Sequence, residues 1–566
     1  VYEFQKQGEY GHIFEGATDP TAVTVSNGNR LYYSNTNGTN TQYNFFLTYE
    51  KQIGKHNISG LFSVERAEAK GQQEDVWKSD PLETTNGQFG TAFGEIDGRT
   101  FAYESGSLGY IGRANYRYAE KYLAEFLFRT DASTKFAPEN YWGKFYSASV
   151  GWVVSEEDFF KSVKGVDYLK LRYSAGLMGN DQFQPWTWRQ RFTYEVGKGA
   201  VFGGDGNSTT GMKMGVSPNR DATWSDEFKN NLGIEARFLN NRLSTTLDGY
   251  YNKASNILLQ RIGNMPVSVG GSVASENYAK VNTFGYEISL GWSDKIGSDF
   301  NYGINGRLSW NDLKIVNIDY DPVSVLKPWL PRNGASEDVG MWGYDYLGMF
   351  RSQEEIDAYV EEYNITQVFE TSVDRLRPGM LYYRDVRGQL QADGTFGAPD
   401  GIIDENDQIQ LSKRKDSHYG FGLTLRAGYK NISFETVIAG SFGGYSEVGS
   451  TERKKLNNDI TRVYNNLPAI WGDVYDPVLN PTGTMPNPEW ENIYNVSSDF
   501  WRVSAFRMRV TSFNLGYTLP KGWVDKMSVS NARFYFSAMN PLGLYSAFHY
   551  KDTYGTAWDS YPNLKT

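Results

Sequence analysis

Residues 421 to 440 read FGLTLRAGYKNISFETVIAG, two alternating runs separated by Lys430-Asn431. Phe421, Leu423, Leu425, Ala427 and Tyr429 share one face, and Gly422, Thr424, Arg426 and Gly428 share the other. After the turn, Ile432, Phe434, Thr436 and Ile438 oppose Ser433, Glu435, Val437 and Ala439. Period two is the period of a strand, and the short polar break makes a hairpin. The pattern recurs at 42–51, 121–131, 242–252, 284–294, 301–312 and 532–540. It predicts roughly 15 strands of about 10 residues or more, whereas soluble strands average about 5–6. The chain must therefore place many long, two-faced strands side by side. The open question is whether the apolar faces meet a protein core or another apolar medium.

The connections alternate as well. Tight breaks at 53–57, 119–121, 239–242, 295–299 and 430–431 interleave with long polar segments at 67–99, 131–141, 179–227, 313–416 and 442–502. Short turns at one end and long loops at the other predict an all-β, large antiparallel transmembrane β-barrel with long extracellular loops. The apolar faces then point to lipid, and Glu287, Arg307, Arg426 and Glu435 face the lumen. Tyr251, Trp292, Trp310 and Tyr429 end apolar faces, as interfacial girdles require. A passive porin or a soluble glycan-binding β-protein remains the alternative. A soluble propeller or sandwich would bury the same faces against a second sheet, but no blade-length repeat is present.

Composition narrows the classes. The 566 residues include 40 Tyr, 33 Phe, 15 Trp and 59 Gly, as a β-rich chain would. A net charge of -10 argues against nucleic acid as partner. Zero cysteines remove disulfides, thiol nucleophiles and Cys-ligated zinc. No run of about 18 apolar residues marks a membrane helix. Glu156, Glu157 and Asp158 lie at a turn, and the four histidines are scattered, so no catalytic constellation is visible and no enzyme is expected.

Several blocks carry a family resemblance. They are RANYRYAEKYLAEFLFRTDASTKFAPENYWGKFYSASVGWVVSEEDFFK (113–161), YLKLRYSAGLMGND (168–181), NNLGIEARFLNNRLSTTLDGYYNKASNILL (230–259) and VNTFGYEISLGW (281–292). YLGMFRSQEEIDAY (346–359), DGIIDENDQ (400–408), FRMRVTSFNLGYTLP (506–520) and ARFYFSAMNPLGL (532–544) follow in order. With them the chain resembles the SusC/RagA family of TonB-dependent outer-membrane transporters. The resemblance implies a barrel of about 22 strands with an N-terminal plug. It also implies import of an oligosaccharide, or in some members an oligopeptide, energised through TonB and capped by a SusD-like surface lipoprotein. Residues 1–566 would be a partial barrel in the outer membrane of a Gram-negative bacterium, bordered by lipid and lipopolysaccharide. The plug and the first strands would come from a segment not in this chain, and the last strand would follow YPNLKT at 561–566.

Two kinds of site stand out. Within loop 313–416, Asp385, Asp400, the Ile402 carbonyl, Asp404 and Asp407 have the spacing of a calcium loop, magnesium being second choice. Arg387 stands where the family carries Asn, and an insertion, GQLQADGTFGAP, splits the loop, with Asp393 as a substitute ligand. An ordinary acidic turn is the plain alternative. The aromatics Trp186, Trp188, Trp329 and Trp342 could stack on sugar rings, or simply pack the loops or the lipoprotein cap. A helix is expected over 352–364 as a docking or packing element.

Overall fold

The computed structural model describes residues 30–79, 88–201, 206, 208–262, 274–449, 453 and 469–547. The opening 1–14 and the closing 561–566 lie outside them, as does part of loop 442–502. One antiparallel sheet of 14 strands dominates, with every strand beside its neighbour in sequence order. Its strands are β1 (Arg30–Ile53), β2 (His56–Ser79), β3 (Ile96–Tyr118), β4 (Tyr122–Ser133) and β5 (Trp142–Val153). β6 (Val166–Asn180), β7 (Ser225–Phe238), β8 (Leu243–Gln260), β9 (Ser275–Ile296) and β10 (Phe300–Asn317) continue it. β11 (Tyr419–Tyr429), β12 (Ile432–Phe442), β13 (Arg507–Thr518) and β14 (Arg533–Ser546) complete it. Among the described residues β1 and β14 each pair on one side only.

The tight breaks are hairpin turns. At 239–241 Leu239, Asn240 and Asn241 all have φ near +60°, a region asparagine tolerates better than most residues. The segment 67–99 differs from its expected loop. β2 continues to Ser79 and β3 begins at Ile96, with Gln73 still paired to Phe101. Polar side chains on both faces, Glu68, Lys70, Gln72 and Glu74 on one and Gln73 and Asp75 on the other, allow the ladder to run on beyond an apolar band.

Register aligns the faces across strands. Ile234, Leu247, Ile288, Leu308 and Phe421 form one apolar row, and Gly233, Asp248, Glu287, Ser309 and Gly420 form the polar row beside it. Among the described residues nothing covers the apolar face: Leu232 is 61%, Phe126 52% and Leu290 52% exposed. Tyr286 stacks on Trp310 at 5.8 Å near one margin, and Trp292 Nε1 donates to the Tyr302 hydroxyl at 3.2 Å near the other. From Trp310 to Tyr302 the strand runs about 27 Å, or about 20 Å in height once tilted, close to the outer-membrane band.

The hydrophobic core lies elsewhere. Tyr344, Phe350, Ile356, Tyr383 and Ile403 pack with Trp471, Tyr475, Ile493, Tyr494 and Trp501. Segments 313–416 and 442–502, expected as separate loops, thus share one core. The Tyr383 hydroxyl donates to the Ile493 carbonyl at 2.9 Å, joining them directly. Helix α1 (Gln353–Tyr363) matches the expected helix. Ser352 caps its first turn, Asn364 ends it at φ 52°, and Ile356 and Tyr359 are its buried side.

Candidate functional site

The polar face of the sheet lines a cavity of about 1070 Å³ between β3 and β9, with Glu125, Arg129, Lys229, Asn231 and Tyr250 among its lining residues. Arg172 on β6 organises this wall. Its Nη2 donates to both Asp248 oxygens at 2.6 and 2.7 Å, its Nε to Glu235 at 3.0 Å and its Nη1 to Asn231 at 3.0 Å. Three strands are clamped by one planar fork, the geometry arginine suits. Glu287 lies across from Asp248 on this same face, and Arg307 lies across from Ser289 and Gly422. Arg426 and Glu435 pair at 2.5 Å across β11 and β12. All four expected lumen residues therefore share the face of Arg172. The Arg172 network itself was missed in the sequence, because its members lie 59 to 76 residues apart.

A second cluster ties the loop domain to the rim of the sheet. His418 Nε2 lies 2.7 Å from Asp338 Oδ2, and its Nδ1 lies 2.6 Å from the Asn311 carbonyl. Arg414 donates to Asp312 at 2.8 Å and to Ser336 at 2.9 Å. Burial pushes the Asp338 carboxyl up, but bonds from the Lys415 amide, the His418 ring and the Gly340 and Asp416 amides outweigh it and hold it below its usual range.

The acidic loop is closed. Its insertion is a small hairpin, with Gly388 N donating to Gly397 O at 3.0 Å and Gly397 N to Gln389 O at 3.1 Å. The two halves of the loop thus stay adjacent. Asp385 Oδ2 accepts from Gly401 N at 2.6 Å. Asp407, fully buried, accepts from Val386 N, Arg387 N and Asp404 N. Burial pushes its carboxyl up to about 6, with Asp385 adding to the rise. Asp404 accepts from Asn406 and Gln389, Asp400 from Ile402 N, and Asp393 from Thr395 at the hairpin tip. Asp385 Oδ1 is buried without a hydrogen-bond partner. Among the described residues no three His, Asp or Glu side chains converge as a metal-ligand set. Asp385, Asp393, Asp400, Asp404 and Asp407 thus each accept at least one amide of the loop itself.

The tryptophans divide into two pairs. Arg189 lies 4.8 Å from Trp186 and 4.7 Å from Trp188, and Arg220, paired with Glu139, lies 5.3 Å from Trp188. Those rings pack their own loop through cation–π contacts. Trp329 and Trp342 stand 6.3 Å apart at 55° and line a cavity of about 300 Å³ with Glu337, Gln408, Lys415 and Asp416.

Similarity to known proteins runs along nearly the whole chain, although no family model matches it. It is 24% identical to TonB-dependent receptor P3 and 27% to TonB-dependent receptor P26, both of Formosa agariphila, over 97% and 94% of this chain and 54% and 52% of theirs. It is 22% identical to TonB-dependent receptor SusC of Bacteroides thetaiotaomicron, over 94% of this chain and 50% of that protein. Among solved structures, the RagAB peptide transporter superposes with a TM-score of 0.67 at 18% identity, covering 91% of this chain and 53% of that one. SusC and RagAB are thus among the proteins the chain is similar to. The chain spans about half the length of these relatives. The relatives are named as TonB-dependent receptors and the solved structure as a peptide transporter, and the fold shared with it is that of an outer-membrane β-barrel.

Proposed function

We propose that this chain forms the larger part of the wall, and the loop cap, of a TonB-dependent outer-membrane importer. The observation that carries this reading is the sheet itself, with one apolar face exposed and the opposite polar face ion-paired and lining a cavity. A plug and further strands, from the part of its relatives this chain does not span, would close the barrel and supply the energy coupling a passive porin lacks. A SusD-like lipoprotein is the proposed partner above the loop domain. Oligosaccharide is the favoured cargo, met at the cavity of Trp329 and Trp342, where two rings face carboxylate and amide groups. An oligopeptide is the second reading, since the charged lumen wall also suits backbone amides and charged termini.

The test is uptake and binding by the whole protein in its native membrane. Loss of uptake on deleting TonB, with a lipoprotein copurifying at equal stoichiometry, supports the importer. Uptake indifferent to TonB would favour a passive pore. Native mass spectrometry against neutral oligosaccharides and oligopeptides separates the two cargoes.

A further inference from the structure

The acidic loop departs from a calcium loop in two places, and the structure brings those two places together. With the hairpin 389–399 set aside, the positions follow the calcium-loop order. Asp385 opens the loop, Asp400 and Gly401 fall at the fifth and sixth positions, Ile402 at the seventh, Asp404 at the ninth and Asp407 at the twelfth. Gly401 has φ +79°, the sharp turn that position requires, and a Cβ there would meet the Asn364 carbonyl at 2.3 Å. The third position, an oxygen ligand in such loops, is Arg387.

Its guanidinium bridges the limbs of the loop, through main-chain carbonyls rather than through the acidic side chains a cation would bind. Nε donates to the Asn406 carbonyl at 2.5 Å and Nη2 donates to the Gln408 carbonyl, tying the first limb of the loop to the last. The inserted hairpin then folds back over it. Phe396, on that hairpin, lies 4.1 Å from the guanidinium, and Trp329 lies 5.8 Å from it. A half-buried positive charge is stabilised by such ring faces. The hairpin's first residue adds a second tie, Gln389 Nε2 to Asp404 at 2.9 Å. The substitution and the insertion therefore make one device: the insertion supplies the cover that the substituted cation needs.

We propose that Arg387, covered by Phe396 of the inserted hairpin, takes the structural place of the divalent cation, so that loop 385–408 holds its shape without metal. Asp385 Oδ2 and both Asp407 oxygens accept from backbone amides, while Asp385 Oδ1 stays buried without a hydrogen-bond partner. The loop domain would accordingly keep its form in calcium-poor surroundings.

The experiment uses the full protein purified in detergent. Hydrogen exchange of peptides covering 400–408 is compared in excess chelator, calcium and magnesium, with calorimetric titration of each ion alongside. The proposal expects no heat of binding and identical exchange in all three buffers. It expects Arg387→Asn, and to a lesser degree Phe396→Ala, to speed exchange at 400–408 by about tenfold or more in chelator, with exchange elsewhere in the sheet unchanged. Arg387→Asn restores an oxygen at the third position, so calcium should slow its exchange again. Saturable binding by the unsubstituted protein, with exchange that rises in chelator, would overturn the proposal. So would an Arg387→Asn protein whose exchange in chelator matches the unsubstituted protein.

Discussion

Single side chains at the rim show how charge is used outside the membrane band. Asp338 accepts three backbone amides and faces His418, and its carboxyl is held below its usual value. A carboxyl with a depressed folded pKa stabilises above its unfolded value, near 4, and that contribution is lost as pH falls through the folded value. Asp338→Asn should therefore destabilise the loop domain at pH near 7 and cost less at a pH below about 4. Urea unfolding followed by tryptophan fluorescence at both pH values checks this, and an equal cost at both would refute it. Trp342 offers a second single-residue test. Trp342→Ala should weaken oligosaccharide binding, while Trp188→Ala should leave it unchanged because Arg189 and Arg220 already occupy that ring. Calorimetry on the whole transporter reads both.

A strand here carries two unlike surfaces one residue apart. Leu290 is half exposed on the apolar row, while Ser289 next to it lies across from Arg307 on the lumen face. Leu290→Arg should cost about 2–4 kcal/mol of folding free energy into lipid, and Ser289→Arg under about 1 kcal/mol. Refolding titrations into lipid vesicles measure the difference, and equal costs would mean that the apolar face is not in lipid. The strands were legible in the sequence because the code is local. Alternation of period two and a two-residue turn specify strand, face and hairpin without knowledge of any distant residue. The upper ends of β2 and β3 were not, since 67–79 lacks the apolar alternation and only the paired ladder reveals it as strand.

The molecule as a whole has two kinds of stability. The wall is held by its hydrogen-bonded ladder and by lipid, and the loop domain by a buried core like that of a soluble protein. Phe350 is fully buried and stacks on Tyr382 at 4.3 Å. Phe350→Ala should cost the loop domain about 3–5 kcal/mol and leave the barrel folded. Heating followed by tryptophan fluorescence, beside the heat-dependent gel mobility of the barrel, would show one transition moving and the other fixed. Because both loops feed one core, proteolytic sensitivity should rise in 469–501 as well as in 344–403.

By itself the sequence determined the strands, their two faces, the girdle aromatics, the helix at 352–364 and the family resemblance. Each rests on residues adjacent in the chain or on a short period. Tertiary structure alone decided that two loops make one domain and that Arg172 clamps three strands. It also decided that the rings of Trp186 and Trp188 are filled by arginines and that Arg387 meets Phe396 across a folded insertion. Those contacts join residues without any period between them, and the two loops share a core because they connect β10 to β11 and β12 to β13, which are neighbours in the sheet.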